Sequence, residues 1–307
     1  MAPVINKIYI YPIKSCKAIE LTQVEISKYG LANDRTFLII DPQNNKFRTM
    51  RELPPMTLIE PKIIGNELEI TADGKSVRVP LNPDHGSYKK LTVEVWKDQL
   101  EAADMGDEVA ELITDYLGVP CRLVHKSPTH RRDVTEHSPG VGEIGFTPET
   151  AFADNFPILT LSQESVEDLN TQLENPVTPL NFRPNLVFTG VKGPFEEDTW
   201  CIVEMNGLEY YFTCRCTRCD MPNVDPVTGV KDKQQPQKTL QKIRRVDKGK
   251  AAKFYACVGI NAIPSALTGT LQVGNVLNVK QYFEGERKRT GANGWATTEA
   301  EVAALPL

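Results

Sequence analysis

The sequence contains no run approaching the roughly 18 apolar residues that a membrane-spanning helix needs. It has no surplus of positive charge either: 35 Lys and Arg stand against 40 Asp and Glu, a net charge of −5. Nucleic acid is therefore not expected as the main partner, because neutralising phosphates takes a basic face. No glycine fingerprint for flavin or nicotinamide, no haem C-x-x-C-H and no ferredoxin cysteine spacing occurs, so none of those groups is expected on this chain. The opening residues, MAPVINKIYIYPIKSC, show no apolar signal core and no Arg-rich presequence, which makes the cytoplasm the expected location. The seven cysteines are an odd number. Without a secretory signal they read as reduced thiols or metal ligands rather than disulfides.

What is present describes a globular chain. Its 307 residues, 40% hydrophobic and 24% charged, suit about two domains. NKIYIY, RTFLIID, NELEITADGKSVRVPL and LTVEVW are short apolar or alternating runs split by turn signals, the pattern of a small barrel or sandwich. The period then changes. GDEVAELITDYLGVP places Val109, Leu112, Ile113, Tyr116 and Leu117 at helical spacing, with Asp107 as N-cap and Gly118 as stop. After a turn-rich stretch come the strand FPILTL, a helix SQESVEDLNTQLE capped by Ser162, and the strand NFRPNLVFTG. WCIVEMNGLEYYFTC reads as a hairpin, with Asn206-Gly207 supplying the positive φ of a type I′ turn. TGTLQVGNVLNVK reads as a closing strand pair. The expected fold is α+β and β-rich, an N-terminal β-barrel-like domain over 1–125 and a second barrel with flanking helices over 126–283. Residues 284–307 read as a flexible tail.

The chemistry concentrates in FTCRCTRCDMPNVDPVTG, Phe212 to Gly229, which holds Cys214, Cys216 and Cys219. A structural zinc site needs four ligands. After Cys219 only Cys257 follows, and all four histidines (His85, His125, His130, His137) precede it. A redox dithiol at Cys216 and Cys219 wants a helix N-terminus, where the dipole lowers thiol pKa; here the pair follows a strand, and Pro222 with Asp225-Pro226 opposes a helix start. Buried thiols without chemistry are the remaining possibility. Residue types alone leave these open.

RCTRCDMPNVDPVTG resembles the metal-binding segment of the MOSC-domain family, and of its amidoxime-reducing-component branch in particular. The likeness extends along the chain through YPIKSCKAIEL, NDRTFLIID, VWKDQLEAADMGDEVAELITDYLGVPCRLVH, ILTLSQESVEDLN, NFRPNLVFTG and VGNVL, in family order over residues 4–281. It implies a MOSC N-terminal β-barrel domain followed by a MOSC domain. It also implies a molybdenum cofactor bound through the dithiolene of a molybdopterin, with Cys219 as metal ligand and catalytic centre. A thiolate suits a metal that changes oxidation state. The positions matching cofactor contacts are Lys14, Ser15, Arg35, Asp154, Asn155, Arg183, Thr217, Arg218 and Asn261; Arg and Lys there suit a pterin phosphate. Cys214 and Cys216 are expected to be structural, as are Cys16, Cys121, Cys201 and Cys257. Asp225-Pro226 and Gly229 are expected to shape a turn past the metal. Asp220, next to the ligand, departs from the family pattern and puts a carboxylate beside the expected metal.

The activity so implied is reduction of small N-hydroxylated substrates (amidoximes, hydroxylamines, N-hydroxylated bases), with nitrite as a further candidate. Electrons would come from a cytochrome b5-type donor and its reductase. Lys231, Lys233, Lys238, Lys242, Arg244, Arg245, Lys248, Lys250 and Lys253, against Asp232 and Asp247, form a basic stretch suited to steering an acidic donor, or simply a solvated helix face. The alternative function is a cofactor-binding or sulfur-carrier module without turnover, as in the MOSC part of cofactor sulfurases. Mitochondrial relatives carry an N-terminal anchor that these opening residues do not resemble, so mitochondrial association stays open beside the cytoplasm.

Overall fold

Alternation of burial sets the strands. Along Glu67–Ala72 the side chains of Leu68, Ile70 and Ala72 are buried and those between them are not, the signature of a sheet with one face on the core. The computed structural model describes residues 2–249 and 252–283; the tail 284–307 and Lys250 lie outside the described residues. It is strand-rich, as expected, with few helices and four curled sheets.

The largest sheet has eight strands in the order Leu277–Tyr282, Trp200–Met205, Leu208–Arg218, Ala256–Pro264, Ile158–Ser162, Leu186–Thr189, Val4–Ile10 and Ile19–Leu21. Its pairs are antiparallel except Ile158–Ser162 with Leu186–Thr189. A four-stranded sheet runs Phe37–Ile40, Arg122–Lys126, Asp98–Asp104, Lys90–Val95. A third joins Gly269–Gln272 to Gln23–Ser27 and Gly30–Leu31, and a fourth is the meander Glu60–Ile64, Glu67–Ala72, Lys75–Pro80. Strands from residues 4–31 are thus hydrogen-bonded into sheets otherwise built from residues 158–282.

One core cluster gathers Phe37, Ile39, Met56, Leu68, Ile70 and Ile113; another, on the large sheet, gathers Ile5, Ile8, Trp200, Phe212 and Ile260. The helix Asp107–Leu117 buries Val109, Leu112 and Ile113 as its spacing predicts. Its N-cap is Gly106 at φ 99° rather than Asp107. Asp107 stands instead in the first turn, where its charge complements the helix dipole. Ser162 caps Gln163–Asn170 by accepting from the Ser165 amide at 3.2 Å. Asn206 and Gly207 have φ of 51° and 77°, so the hairpin turn is of the expected primed type. The two last strands do not pair with each other: Gly269–Gln272 joins Gln23–Ser27, and Leu277–Tyr282 joins Trp200–Met205. Val273–Val276 carries the chain from one sheet to the other, which alternation within each strand cannot reveal.

Candidate active site

Cys219 follows immediately on the strand Leu208–Arg218, where the chain leaves the large sheet. A 3-10 turn, Met221–Asn223, carries it back, and the Met221 amide donates to Cys219 Sγ at 3.5 Å. Asn181 Nδ2 donates to the Pro222 carbonyl at 3.1 Å, fixing this turn to the short helix Pro179–Phe182. Asp225 Oδ1 accepts from the amides of Val227 and Thr228, each at 2.8 Å, and Gly229 has φ 68°, so the VDPVTG segment makes the expected return turn. Cys219 is an exposed free thiol. Although the residue is exposed, its neighbours partly desolvate the sulfur, which pushes the thiol pKa up, an effect the Met221 amide and the Arg51 charge oppose.

The cysteine borders a cavity of about 310 Å³, at the lower end of the range for small-molecule sites. All ten residues singled out by the sequence line it: Cys219, Lys14, Ser15, Arg35, Asp154, Asn155, Arg183, Thr217, Arg218 and Asn261. The cavity lies between the large sheet, which brings Thr217, Arg218 and Asn261, and the four-stranded sheet, whose Lys90–Val95/Asp98–Asp104 hairpin brings Trp96. Five cations line it (Lys14, Arg35, Arg51, Arg183, Arg218) against one carboxylate, Asp154.

Four of these cations are held by carbonyls, a shared aromatic ring and two carboxylates. Arg183 and Arg35 pack on the same Tyr11 ring, at 4.2 and 4.6 Å from its centroid. Arg183 donates to the Cys16 carbonyl at 2.8 Å, and burial lowers its pKa to about 10. Arg35 donates to Asp34 at 2.5 Å and to the Arg183 carbonyl at 3.1 Å. Arg218 spends three of its five N–H donors on the carbonyls of Val258 and Phe182, and these bonds leave its charge uncompensated by a carboxylate. Lys14 donates to the Phe152 carbonyl at 2.8 Å and to Asp154 Oδ1 at 2.5 Å. Burial pulls Lys14 down, Asp154 opposing. Burial alone would raise Asp154, but the Lys14 charge and the bonds from Lys14 and Trp96 hold it well below the usual carboxylate range. Ser15, Arg35, Trp96 and Arg183 all have φ between 51° and 70°. Non-glycine residues are seldom found there, and such strain gathers at functional sites.

Among the described residues no three His, Cys, Asp or Glu side chains converge as a metal cage. One thiol and a cationic wall therefore fit a group that brings its own metal ligands together with an anionic tail; they do not fit a metal held by protein ligands alone.

Residues 2–120 match the MOSC N-terminal beta barrel domain and residues 147–278 match the MOSC domain. The mouse protein named mitochondrial amidoxime-reducing component 1 is 33% identical over 279 residues, covering 88% of this chain and 80% of its own. Its human counterpart is 33% identical over 252 residues (79% and 72%), and the bovine mitochondrial amidoxime reducing component 2 is 33% identical over 249 residues (79% and 73%). The chain belongs to the amidoxime-reducing-component branch of the MOSC family. Its two domain matches leave 121–146 between them, the segment in which the sequence boundary at 125/126 falls.

Within this family member several expectations shift. Asp220 is not among the cavity-lining residues and its carboxylate is engaged by Lys231 at 2.5 Å, but its charge still acts on the Cys219 sulfur as its position suggests. Arg244 is not part of a basic surface. It is buried, pairs with Asp198 at 2.6 Å and lies 3.7 Å from the Phe195 ring centroid. Lys233, Lys238, Lys242, Arg245 and Lys253 are exposed. Cys216, expected to be structural, lines the cavity, whereas Cys214 is buried beside Asn261 Nδ2 at 3.5 Å. Arg51, Trp96, Asn181, Asn185 and Tyr255 line it too, although the sequence did not single them out. Among the described residues no helix is long and apolar enough to cross a membrane.

Proposed function

We propose that the protein is a molybdenum-cofactor-dependent reductase of small N-hydroxylated compounds, amidoximes first among them, supplied with electrons by an external donor of the cytochrome b5 type and its reductase. The observation that carries this reading is one exposed thiol, Cys219, on a cavity lined by five cations and a single carboxylate. Membership of the family, with relatives named for amidoxime reduction, supports the substrate class. The mitochondrial names of these relatives make association with that organelle part of the proposal, testable by fractionation against a cytoplasmic pool.

When bound, a molybdenum–molybdopterin cofactor supplies two-electron oxygen-acceptor chemistry. The chain's own residues would do the rest. Cys219 offers one soft ligand on a turn fixed by Asn181 and by the Met221 amide. Arg183, Arg35 and Lys14, with Ser15, would hold the anionic tail, and Arg218, three of whose five N–H groups are bonded to carbonyls, adds charge. Asn155, Thr217 and Asn261 offer polar contacts along the same wall. Lys14 Nζ and Asp154 Oδ1 share a proton-bearing contact on the cavity wall. Overall, replacing N–OH by N–H takes two electrons and two protons and releases water.

The test is reduction of benzamidoxime to benzamidine by cofactor-loaded protein, with a chemical reductant and separately with cytochrome b5 and its reductase. Turnover in both arms is expected. Stable cofactor with no turnover in either arm would return the protein to the carrier reading.

A further inference from the structure

A second cavity, of about 320 Å³, adjoins the first and shares Trp96 and Arg51 with it. Trp96 stands between them. Its φ of 57° is costly for a bulky aromatic residue, and three contacts hold it there. The indole N–H donates to Asp154 Oδ1 at 3.1 Å, the Arg51 guanidinium lies 5.2 Å from the ring centroid, and Phe47 meets it edge-on at 5.1 Å. A tryptophan fixed in this way, yet 45% exposed, presents a rigid plate to whatever enters beside Cys219.

Behind that plate the second cavity carries donors without acceptors. Thr49 is 3% exposed and its hydroxyl makes no hydrogen bond. Arg51 Nε is also buried without a partner, and so is Arg48 Nε, although the Arg48 guanidinium is itself engaged by Asp41 and the Cys121 thiol. Orphaned buried donors are costly, and three of them belong to residues that line this one cavity, which points to an acceptor from outside. The acids of the cavity do not fill the role. Asp41 is paired with Arg48 at 3.1 Å, Glu94 with Lys46 at 3.4 Å, and Glu52 is exposed.

We propose that this cavity is a specificity subsite for an oxyanion carried by the substrate, with the planar N-hydroxylated part stacked on Trp96 and the anionic substituent received by Thr49, Arg48 and Arg51. The inference rests on the reductase reading for the identity of the planar part. A carboxylate and a phosphate present the same acceptor chemistry. Bidentate or charge-assisted bonds from Arg Nε and a hydroxyl suit either.

The test compares each of two anionic substrates with its uncharged parent on the holoenzyme: 4-carboxybenzamidoxime against benzamidoxime, and N4-hydroxycytidine 5′-monophosphate against N4-hydroxycytidine. At least one anionic member is expected to show a KM lower by about tenfold, with kcat little changed. Which one does so identifies the oxyanion. Thr49→Val should erase most of that advantage and leave the uncharged substrates unaffected, while Thr49→Ser should retain it. Binding is read independently of turnover from quenching of tryptophan fluorescence by benzamidine and 4-carboxybenzamidine, a signal that Trp96→Phe should abolish. If neither anionic member gains over its parent, or the gain survives Thr49→Val, the subsite is overturned. Absence of turnover with all four substrates counts against the reductase reading alone. The binding comparison then decides the subsite: equal affinities for the two amidines, or no Trp96-dependent quenching, overturn it.

Discussion

Arg35 and Arg183 lie against one tyrosine ring, Tyr11, with the Arg35 guanidinium also donating to the Arg183 carbonyl at 3.1 Å. Burial first, and then the like charge of Arg35, lowers Arg183 to about 10, with Tyr11 opposing. The pair is held by Tyr11 and Asp34, and an anion between the guanidiniums would relieve it. Arg183→Gln should therefore lower cofactor content several-fold while the fold persists, and Arg183→Lys should recover little, because an ammonium cannot reproduce the stacked planar fork. Pterin content after oxidation to its fluorescent form, beside circular dichroism, checks both points. Content equal to the wild type in Arg183→Gln would remove this residue from the cofactor site.

The donor surface makes a sharper prediction now that Arg244 is known to be inside. Reversing the charges of Lys238, Lys242 and Arg245 to Glu should slow reduction by cytochrome b5 several-fold, more at low salt, and spare turnover with a chemical reductant. Arg244→Glu should behave differently. It leaves Asp198 facing a like charge in the interior, a change costing about 3–5 kcal/mol, and should show as lost stability with either electron source. Unchanged b5 kinetics in the surface triple variant would contradict the docking face.

Gly259 gives a test of the sheet behind the site. Its φ is 76°, and a Cβ there would lie 2.5 Å from the Thr160 carbonyl oxygen and 3.4 Å from Arg218 Nη2. Gly259→Ala is expected to destabilise by about 2 kcal/mol or more and, by displacing Arg218, to reduce cofactor content as well. Chemical denaturation with the molybdenum content of the surviving protein measures both.

pH acts at a place remote from the cavity. His125 accepts or donates to His85 at 2.9 Å and lies 4.7 Å from the Phe37 ring. Burial, then the His85 and Lys126 charges, pushes its pKa down to about 3. An unfolded histidine takes its proton near about 6.5, so between that value and about 3 the unfolded chain binds more protons than the folded one. Stability is then fully present above pH ~6.5 and falls as pH falls. His125→Gln should flatten the fall in melting temperature between pH ~7 and ~4.5; an unchanged slope would place the loss elsewhere.

How far the sequence could be read depended on the range of the contacts involved. Cys219, Lys14, Ser15, Arg183 and Arg218 stand in contiguous motifs, and the structure gathers them on one cavity. Trp96 and Arg51 are not legible in the sequence, because their place depends on contacts across the fold. The indole meets a carboxylate 58 residues away, and nothing local to VWKD signals it. Arg244 misled for a related reason. A run of basic residues looks uniform in sequence, yet at the end of the helix Gln237–Ile243 one member turns inward to Asp198. The final strands show the same limit, since alternation identifies a strand but not its partner.

The most direct measurement is molybdenum per chain, by mass spectrometry, on protein made in a cofactor-competent host, beside Cys219→Ala. Near-stoichiometric molybdenum is expected in the wild type, and in the variant either a sharp fall or retained metal without turnover of benzamidoxime. Zinc in place of molybdenum, or no metal in either protein, would contradict the molybdenum reading.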